Sequence, residues 1–292
     1  MRTSDSSTAL RIAVQKSGRL TDKTLDLLQG IGLRFDDYKR SMLVTCRNFD
    51  VELLLIRDDD IPEYVEDGVC DVGFVGGNVR AEDDVDVDVI RGLDYGICRL
   101  SLAAPKNGSI KTVQDFAGKK VATSYPNLTR RFFDKHGINV EMTTLSGAVE
   151  IAPRLEVADA ISDLVSSGNT LKANGLVEIE TIFESETELI QTRKPLSEGK
   201  QKLIDKILQR MEGYQLAERS RYIMMNAPES AVPRIREIIP SLKSPTVMPL
   251  ADEGMVAVHT VVPINTFWDV MEKLKEAGAT DIVMLPIESM IS

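Results

Sequence analysis

Apolar runs of strand length alternate with amphipathic stretches along this chain, an order that predicts a mainly parallel α/β sheet. Leu10–Gln15 reads as a buried strand. Lys16-Ser17-Gly18-Arg19 turns the chain, and Thr21 is the expected cap of a helix with Leu25, Leu28 and Ile31 on one face. Val51–Ile56 is a second apolar strand, ending at Arg57 and the run Asp58-Asp59-Asp60. That acidic run suits a helix N-terminus better than a metal site. Asp71–Gly76 repeats the pattern and leads into a Gly-Gly turn. Ile97–Ala104 is another strand, with Arg99 inside an apolar run; such a charge needs either a paired carboxylate or a ligand.

From Ser109 the rhythm restarts. A helix ending at Gly118 leads to strand Lys120–Ser124, then Tyr125-Pro126 and a helix carrying Arg130, Phe132 and Phe133. Strand Val140–Leu145 and a helix over Gly147–Leu155 follow. Val177–Gln191 is β-like and is expected to carry the chain back to the first lobe. A long amphipathic helix capped by Ser197 then presents Leu203, Ile204, Ile207, Leu208 and Met211. After Arg219 the plan changes to strand Tyr222–Met225, helix Val232–Ile239, strands Thr246–Leu250 and Val256–Val262, helix Thr266–Ala277 and strand Asp281–Leu285. That βαββαβ order is the ferredoxin-like split motif. Phe267 and Trp268, at helical spacing with Met271 and Leu274, read as core or interface.

The stretch Ala158–Leu171 carries the sharpest chemistry. A short apolar run holding Asp159 and Asp163 breaks into Ser166-Ser167-Gly168-Asn169-Thr170 and continues as a helix start at Leu171. Strand, small-residue turn and helix start build an anion cradle, with backbone N–H groups and hydroxyls as donors. No lysine stands where a nucleotide-triphosphate loop would place one, so a phosphate monoester fits better. Asp159 and Asp163, four apart, face the same way on an extended segment and suit a ribose diol or hydrated Mg2+. From spacing alone, an ordinary strand–loop–helix junction with solvated carboxylates stays equally open. Lys16, Arg19 and Arg57 sit at carboxyl ends of strands, where open α/β sheets hold ligands.

Composition narrows the partners. A formal charge of -10 argues against nucleic acid and anionic membranes. Cys46, Cys70 and Cys98 follow no disulfide or metal spacing and read as reduced cytoplasmic thiols. With only His136 and His259, a histidine-based zinc site or triad is close to excluded. The polar N-terminus does not read as a signal peptide, and no stretch approaches about 20 apolar residues.

The serine-rich loop resembles the phosphoribosyl-diphosphate signature of the ATP phosphoribosyltransferase family, and other motifs agree. L-R-I-A-V-Q-K-S-G-R-L at the start, R-D-D-D-I-P at Arg57–Pro62 and D-V-G-F-V-G at Asp71–Gly76 are similar to that family. So are C-R-L-S-L-A at Cys98–Ala103, A-T-S-Y-P-N-L at Ala122–Leu128 and G-A-V-E-I-A-P-R at Gly147–Arg154. The resemblance runs from about Leu10 to the C-terminus, and the length matches the family's long form. One departure is Gly77, where many relatives carry Glu.

The resemblance implies two lobes like a type II periplasmic-binding-protein pair, plus a C-terminal ferredoxin-like, ACT-like domain. Its boundaries would be 1–103 with 187–218 for the first lobe, 104–186 for the second, and 219–292 for a histidine-binding regulatory domain. It implies transfer of the phosphoribosyl group of phosphoribosyl diphosphate to N1 of ATP, with Mg2+ held mainly by substrate phosphates, in a cytoplasmic homo-oligomer between dimer and hexamer. Asp159, Asp163, Ser166, Ser167, Gly168, Asn169, Thr170 and Leu171 would bind phosphoribosyl diphosphate. Lys16, Ser17, Gly18 and Arg19 would meet ATP or pyrophosphate, and Arg19, Arg57 and Arg99 would act in catalysis. Asn226, Leu242, Ser244 and Thr246 would bind histidine as feedback inhibitor; some relatives have Asp in place of Asn226. The competing readings are a non-catalytic two-lobed sensor and, for the C-terminal domain, a ligand-free dimerisation unit.

Overall fold

The computed structural model describes residues 9–35, 41–239 and 244–291. It divides into two compact units, one of residues 1–26 and 33–200 and one of Leu27–Gly32 with Gln201–Ser292.

In the first unit the chain lays down β1 (Leu10–Gln15), α1 (Thr21–Gly30), β2 (Leu43–Thr45) and β3 (Val51–Ile56). A 3-10 turn at Asp58–Asp60 leads directly into α2 (Ile61–Glu66), with Pro62 in its first turn, so the acidic run does open a helix. Next come β4 (Val72–Gly76), α3 (Gly77–Asp83) and β5 (Val87–Gly92). The Gly-Gly pair is therefore no turn: Gly77 is the first residue of α3. A Cβ there would lie 2.8 Å from the Glu188 Oε1 atom that accepts Arg80 Nη2, so a larger residue would have to shift that ion pair.

The chain then crosses to a second sheet with β6 (Cys98–Pro105), β7 (Lys120–Thr123), α4 (Pro126–His136), β8 (Glu141–Thr144), β9 (Ala160–Val165), α5 (Asn169–Ala173) and β10 (Leu176–Ser185). It returns with β11 (Thr187–Thr192), which lies antiparallel between β4 and β5. The first sheet runs β2-β3-β1-β4-β11-β5 and the second β10-β6-β9-β7-β8. Setting aside edge strand β2, each lobe repeats one plan, with a strand from across the crossover inserted beside the third strand. This is the expected two-lobed periplasmic-binding-protein-like core. Because β6 belongs to the second sheet, the chain changes lobe within residues 93–97 rather than after 103.

The expected helix over Gly147–Leu155 is a single 3-10 turn at Val149–Ile151. Pro153 removes an N–H in the middle of that segment, and Ala148 and Glu156 both adopt positive φ. Apolar side chains fill each sheet's faces. The rings of Phe116 and Phe133 meet at a tilt of 43° with centroids 5.5 Å apart, packed with Val121 of β7, and Leu171 and Val165 pack with Val149 and Ile161.

The second unit contains most of α6 (Glu198–Glu218), whose Ser197 hydroxyl accepts the N–H of Lys200 at 3.3 Å as the expected cap. It continues with β12 (Ser220–Pro228), α7 (Val232–Ile238), β13 (Thr246–Pro249), β14 (Met255–Pro263), α8 (Ile264–Glu276) and β15 (Thr280–Pro286). Its antiparallel sheet has the order β13-β14-β12-β15, as the split βαββαβ motif requires. Phe267 and Leu274 are core; Trp268, 65% exposed, is not. No helix among the described residues is long and apolar enough to cross a membrane.

Candidate functional site

In the first lobe β1 and β3 run parallel with Gln15 opposite Ile56, so the segments leaving them start side by side. The N–H of Lys16 donates to the Ile56 carbonyl at 2.7 Å. Lys16, Ser17, Gly18, Arg19 and Arg57 are exposed there. Gln15 pins the turn: its side-chain oxygen accepts the Leu20 N–H at 3.2 Å and its carbonyl accepts the Thr21 hydroxyl at 3.0 Å. Thr21 thus donates to the turn instead of capping the helix. Arg19 Nη2 donates to Cys98 Sγ at 3.7 Å, which ties the turn to the start of β6. Behind these cations, burial and then the neighbouring charge of Asp59 push Asp58 up to about 6, against the pull of Arg19. The Asp58 Oδ1 atom is buried without a partner.

In the second lobe β9 ends at Val165, Ser166 and Ser167 lead out, and Gly168 turns through φ +75° to open α5. A left-handed residue at that point favours glycine. Ser166, Ser167, Asn169 and Thr170 are exposed, whereas buried Leu171 anchors the turn in the core. The first N–H groups of a helix have no partner within it, so this turn offers donors to an anion.

Arg99, on β6, reaches that loop. Its Nη1 donates to the Ser166 carbonyl at 3.2 Å, while Nε and Nη2 each donate to Glu178 at 2.6 Å. Hydrogen bonds from Arg99, and further ones from Ser101 and Thr181, hold the Glu178 carboxyl down at about 2 despite some desolvation. Of the two readings of Arg99, the structure displays the paired one. A cleft of about 400 Å³ joins the lobes here, lined by Ile97, Cys98, Arg99, Ser166, Glu184 and Glu186 among others.

Asp159 and Asp163 are not brought together. Asp159 precedes β9, and its carboxylate accepts the Lys120 N–H at 2.8 Å at the amino end of the sheet. Asp163 lies four residues of extended chain away, about 13 Å, toward the loop. They do face alike, but that separation cannot span one ribose diol. Burial raises the Asp163 carboxyl, opposed by the Leu164 N–H at 2.8 Å and reinforced by the charge of Glu150. Glu150 and Tyr125 therefore join Asp163. The Tyr125 phenol is pushed up to about 12, mainly by burial, and accepts Asn78 Nδ2 at 3.0 Å from the first lobe. Neither residue was singled out by spacing; the motifs G-A-V-E-I-A-P-R and A-T-S-Y-P-N-L were the only signal.

Among the described residues no group of three or more His, Cys, Asp or Glu side chains is placed to hold a metal ion. In the second unit Asn226 Nδ2 donates to Asp281 at 3.1 Å, and the same oxygen accepts the Thr280 hydroxyl at 3.1 Å. Thr246 pairs with His259 on β14, whereas Asn226 pairs with Ala257 on its other side, two residues along. Ser244 is exposed beside β13, and Leu242 lies outside the described residues.

The model of the ATP phosphoribosyltransferase family matches residues 57–213, and that of the C-terminal domain of HisG matches residues 217–289. The ATP phosphoribosyltransferase of Phocaeicola vulgatus is 46% identical over 282 residues, 97% of this chain and 99% of that protein. A solved chain of the ATP phosphoribosyl transferase (HisG:HisZ) complex from Thermotoga maritima is 30% identical with a TM-score of 0.61, covering 70% of this chain and 98% of that one.

Proposed function

The chain belongs to the ATP phosphoribosyltransferase family, and from that premise we propose how its cleft divides the work. The reaction joins phosphoribosyl diphosphate to N1 of ATP and releases pyrophosphate, the opening step of histidine biosynthesis. Adenine N1 already has a free lone pair at neutral pH, so no base has to create the nucleophile. The bond from N1 to the anomeric carbon forms as the bond to pyrophosphate breaks, and positive charge develops on the ribose.

The loop Ser166–Leu171 holds the 5′-phosphate through backbone N–H groups and the Thr170 hydroxyl. Asp163 and Glu150 face the ribose, where their carboxylates stabilise its developing charge and its hydroxyls. Lys16 and Arg19, with the backbone of Ser17 and Gly18, and Arg57 receive pyrophosphate and the ATP phosphates as charge moves to the leaving group. Asp159 drops out of the site. The observation that carries this reading is the link from Arg19 through Cys98 and Arg99 to Ser166, which joins the cationic turn to the phosphate loop. Pyrophosphate release that requires both substrates tests it. Release with either substrate omitted, or none with both, overturns it.

Mg2+, implied by the family resemblance, would ride mainly on the substrates' phosphates and would supply further charge neutralisation there. We also read the C-terminal domain as the histidine-responsive part of a cytoplasmic homo-oligomer. The match to the HisG C-terminal domain supports the first point, and three buried thiols that form no disulfide support the location. The Asp281 carboxylate beside Asn226 supplies the negative charge that the amide lacks, which suits the ammonium of histidine.

A further inference from the structure

Glu178 is outside every motif above, yet its position is built. Strand β10 pairs antiparallel with β6, with register shifts between Glu178 and Glu180 and between Thr181 and Phe183. Residues three apart on a regular strand point to opposite faces. Each bulge adds one residue, so Glu178, Thr181 and Glu184 stand opposite Ala103, Ser101 and Arg99 on a common face. Glu178 Oε1 then accepts Arg99 Nε at 2.6 Å, the Ser101 hydroxyl at 2.7 Å and the Thr181 hydroxyl at 3.2 Å, while Oε2 accepts Arg99 Nη2 at 2.6 Å. Ser101 is fully buried, so the carboxylate is fixed from below as well as by the fork. With two of its nitrogens so held, the planar guanidinium has one direction left for Nη1, and there it donates to the Ser166 carbonyl at 3.2 Å.

We propose that Glu178 is a positioning residue for the phosphoribosyl transfer: it orients Arg99, and Arg99 holds the phosphate loop by its first carbonyl. This rests on the reading that the Ser166–Leu171 loop binds the 5′-phosphate. Fixing the Ser166 carbonyl sets where the following N–H groups point, so the loop meets the phosphate already arranged. An arginine at this place adds no net charge, because Glu178 matches it; its contribution is geometric. The two side chains are 34% and 29% exposed for Arg99 and Glu178, so replacing them leaves the fold intact.

The test is steady-state kinetics of Glu178→Gln, Arg99→Lys and the double variant with each substrate varied, alongside Thr170→Val and thermal melting. Glu178→Gln is expected to raise KM for phosphoribosyl diphosphate about tenfold, with kcat and KM for ATP within about twofold. Arg99→Lys keeps the charge but loses the fork and should match it, and the double variant should be no worse than Arg99→Lys alone. An unchanged KM in Glu178→Gln, with Thr170→Val still impaired, overturns the proposal and leaves the loop reading standing. An unchanged KM in Thr170→Val overturns the loop reading itself. Additive losses in the double variant, or a fall in kcat confined to the Arg99 variant, would make Arg99 a direct substrate contact and also overturn the proposal.

Discussion

Glu82 of the first lobe and Asn127 of the second are joined twice. The Glu82 carboxylate accepts the Asn127 N–H at 2.7 Å, and Asn127 Nδ2 donates back to the Glu82 carbonyl at 3.1 Å. The other carboxylate oxygen accepts the Leu128 N–H at 2.9 Å, so Glu82 occupies the positive end of α4 from across the lobes. Replacing it with Gln removes the charge and one acceptor. A loss of about 1 kcal/mol and a fall of about 2–4 °C in Tm are expected. Amide exchange at Asn127 and Leu128 should quicken; unchanged exchange there would show that the junction does not hold the lobes.

Thr170→Val keeps the shape of the loop and deletes a hydroxyl donor. A hydrogen bond to a charged group is worth about 1.5–3 kcal/mol, so KM for phosphoribosyl diphosphate should rise about tenfold or more. KM for ATP is the internal control and should stay put.

Arg19→Met and Arg57→Met remove exposed cations. Each should lower turnover at least about tenfold; Tm should stay put in Arg57→Met and fall slightly in Arg19→Met, which gives up the Cys98 contact and the charge facing Asp58. Asp159→Ala makes the opposite pattern: both KM values unchanged, and a stability loss of about 1 kcal/mol because the Lys120 N–H loses its acceptor. Impaired substrate binding in Asp159→Ala would return that carboxylate to the site.

Asp58 sets a pH dependence. Its native pKa of about 6 lies above the ordinary 3.8, so the protonated form favours folding. Stability should therefore rise as pH falls from about 6 to about 4, and ionisation above pH 6 should cost up to about 3 kcal/mol. Asp58→Asn should melt higher than the parent at pH 8 and equal it below pH 4. Asp83, raised to about 6 chiefly by burial, keeps a smaller share of the same window in the variant. Equal melting at pH 8 would count against the buried charge.

Asp281→Asn tests the regulatory reading in the full chain. If the Asp281 carboxylate beside Asn226 receives the ammonium of histidine, half-inhibition should need about tenfold more histidine. Catalysis without histidine should be unaffected. An unaltered inhibition curve would place the ammonium elsewhere.

The sequence pattern reveals elements where burial is one-sided and continuous. β1, β3 and β9 are apolar runs, and the βαββαβ order after Arg219 is legible because its turns separate clean periods. β2 and β5 leave no comparable trace, since each has only one buried residue. The expected helix after Gly147 overlooked what Pro153 does to a helical ladder. At the site, the loop Ser166–Leu171 is local and so is readable. Glu178 and Glu82 are not, because their partners lie 79 and 45 residues away and the facing of Glu178 depends on two bulges. The spacing of Asp159 and Asp163 conveys their shared facing but not their separation, because the strand between them runs along the sheet.

The strand exchange between lobes has a consequence for the order in which a growing chain can complete them. The second sheet holds β6 through β10, all drawn from residues 98–185, and lacks nothing once Ser185 has left the ribosome. The first lobe begins earlier but ends later, since β4 and β5 have only β11 to join them. Until Thr192 emerges, two ladder edges of the older lobe stand open to any passing strand. Synthesis paused after residue 185 would thus leave the younger half finished and the older half adhesive, and a protease should cut the nascent first lobe while sparing the second.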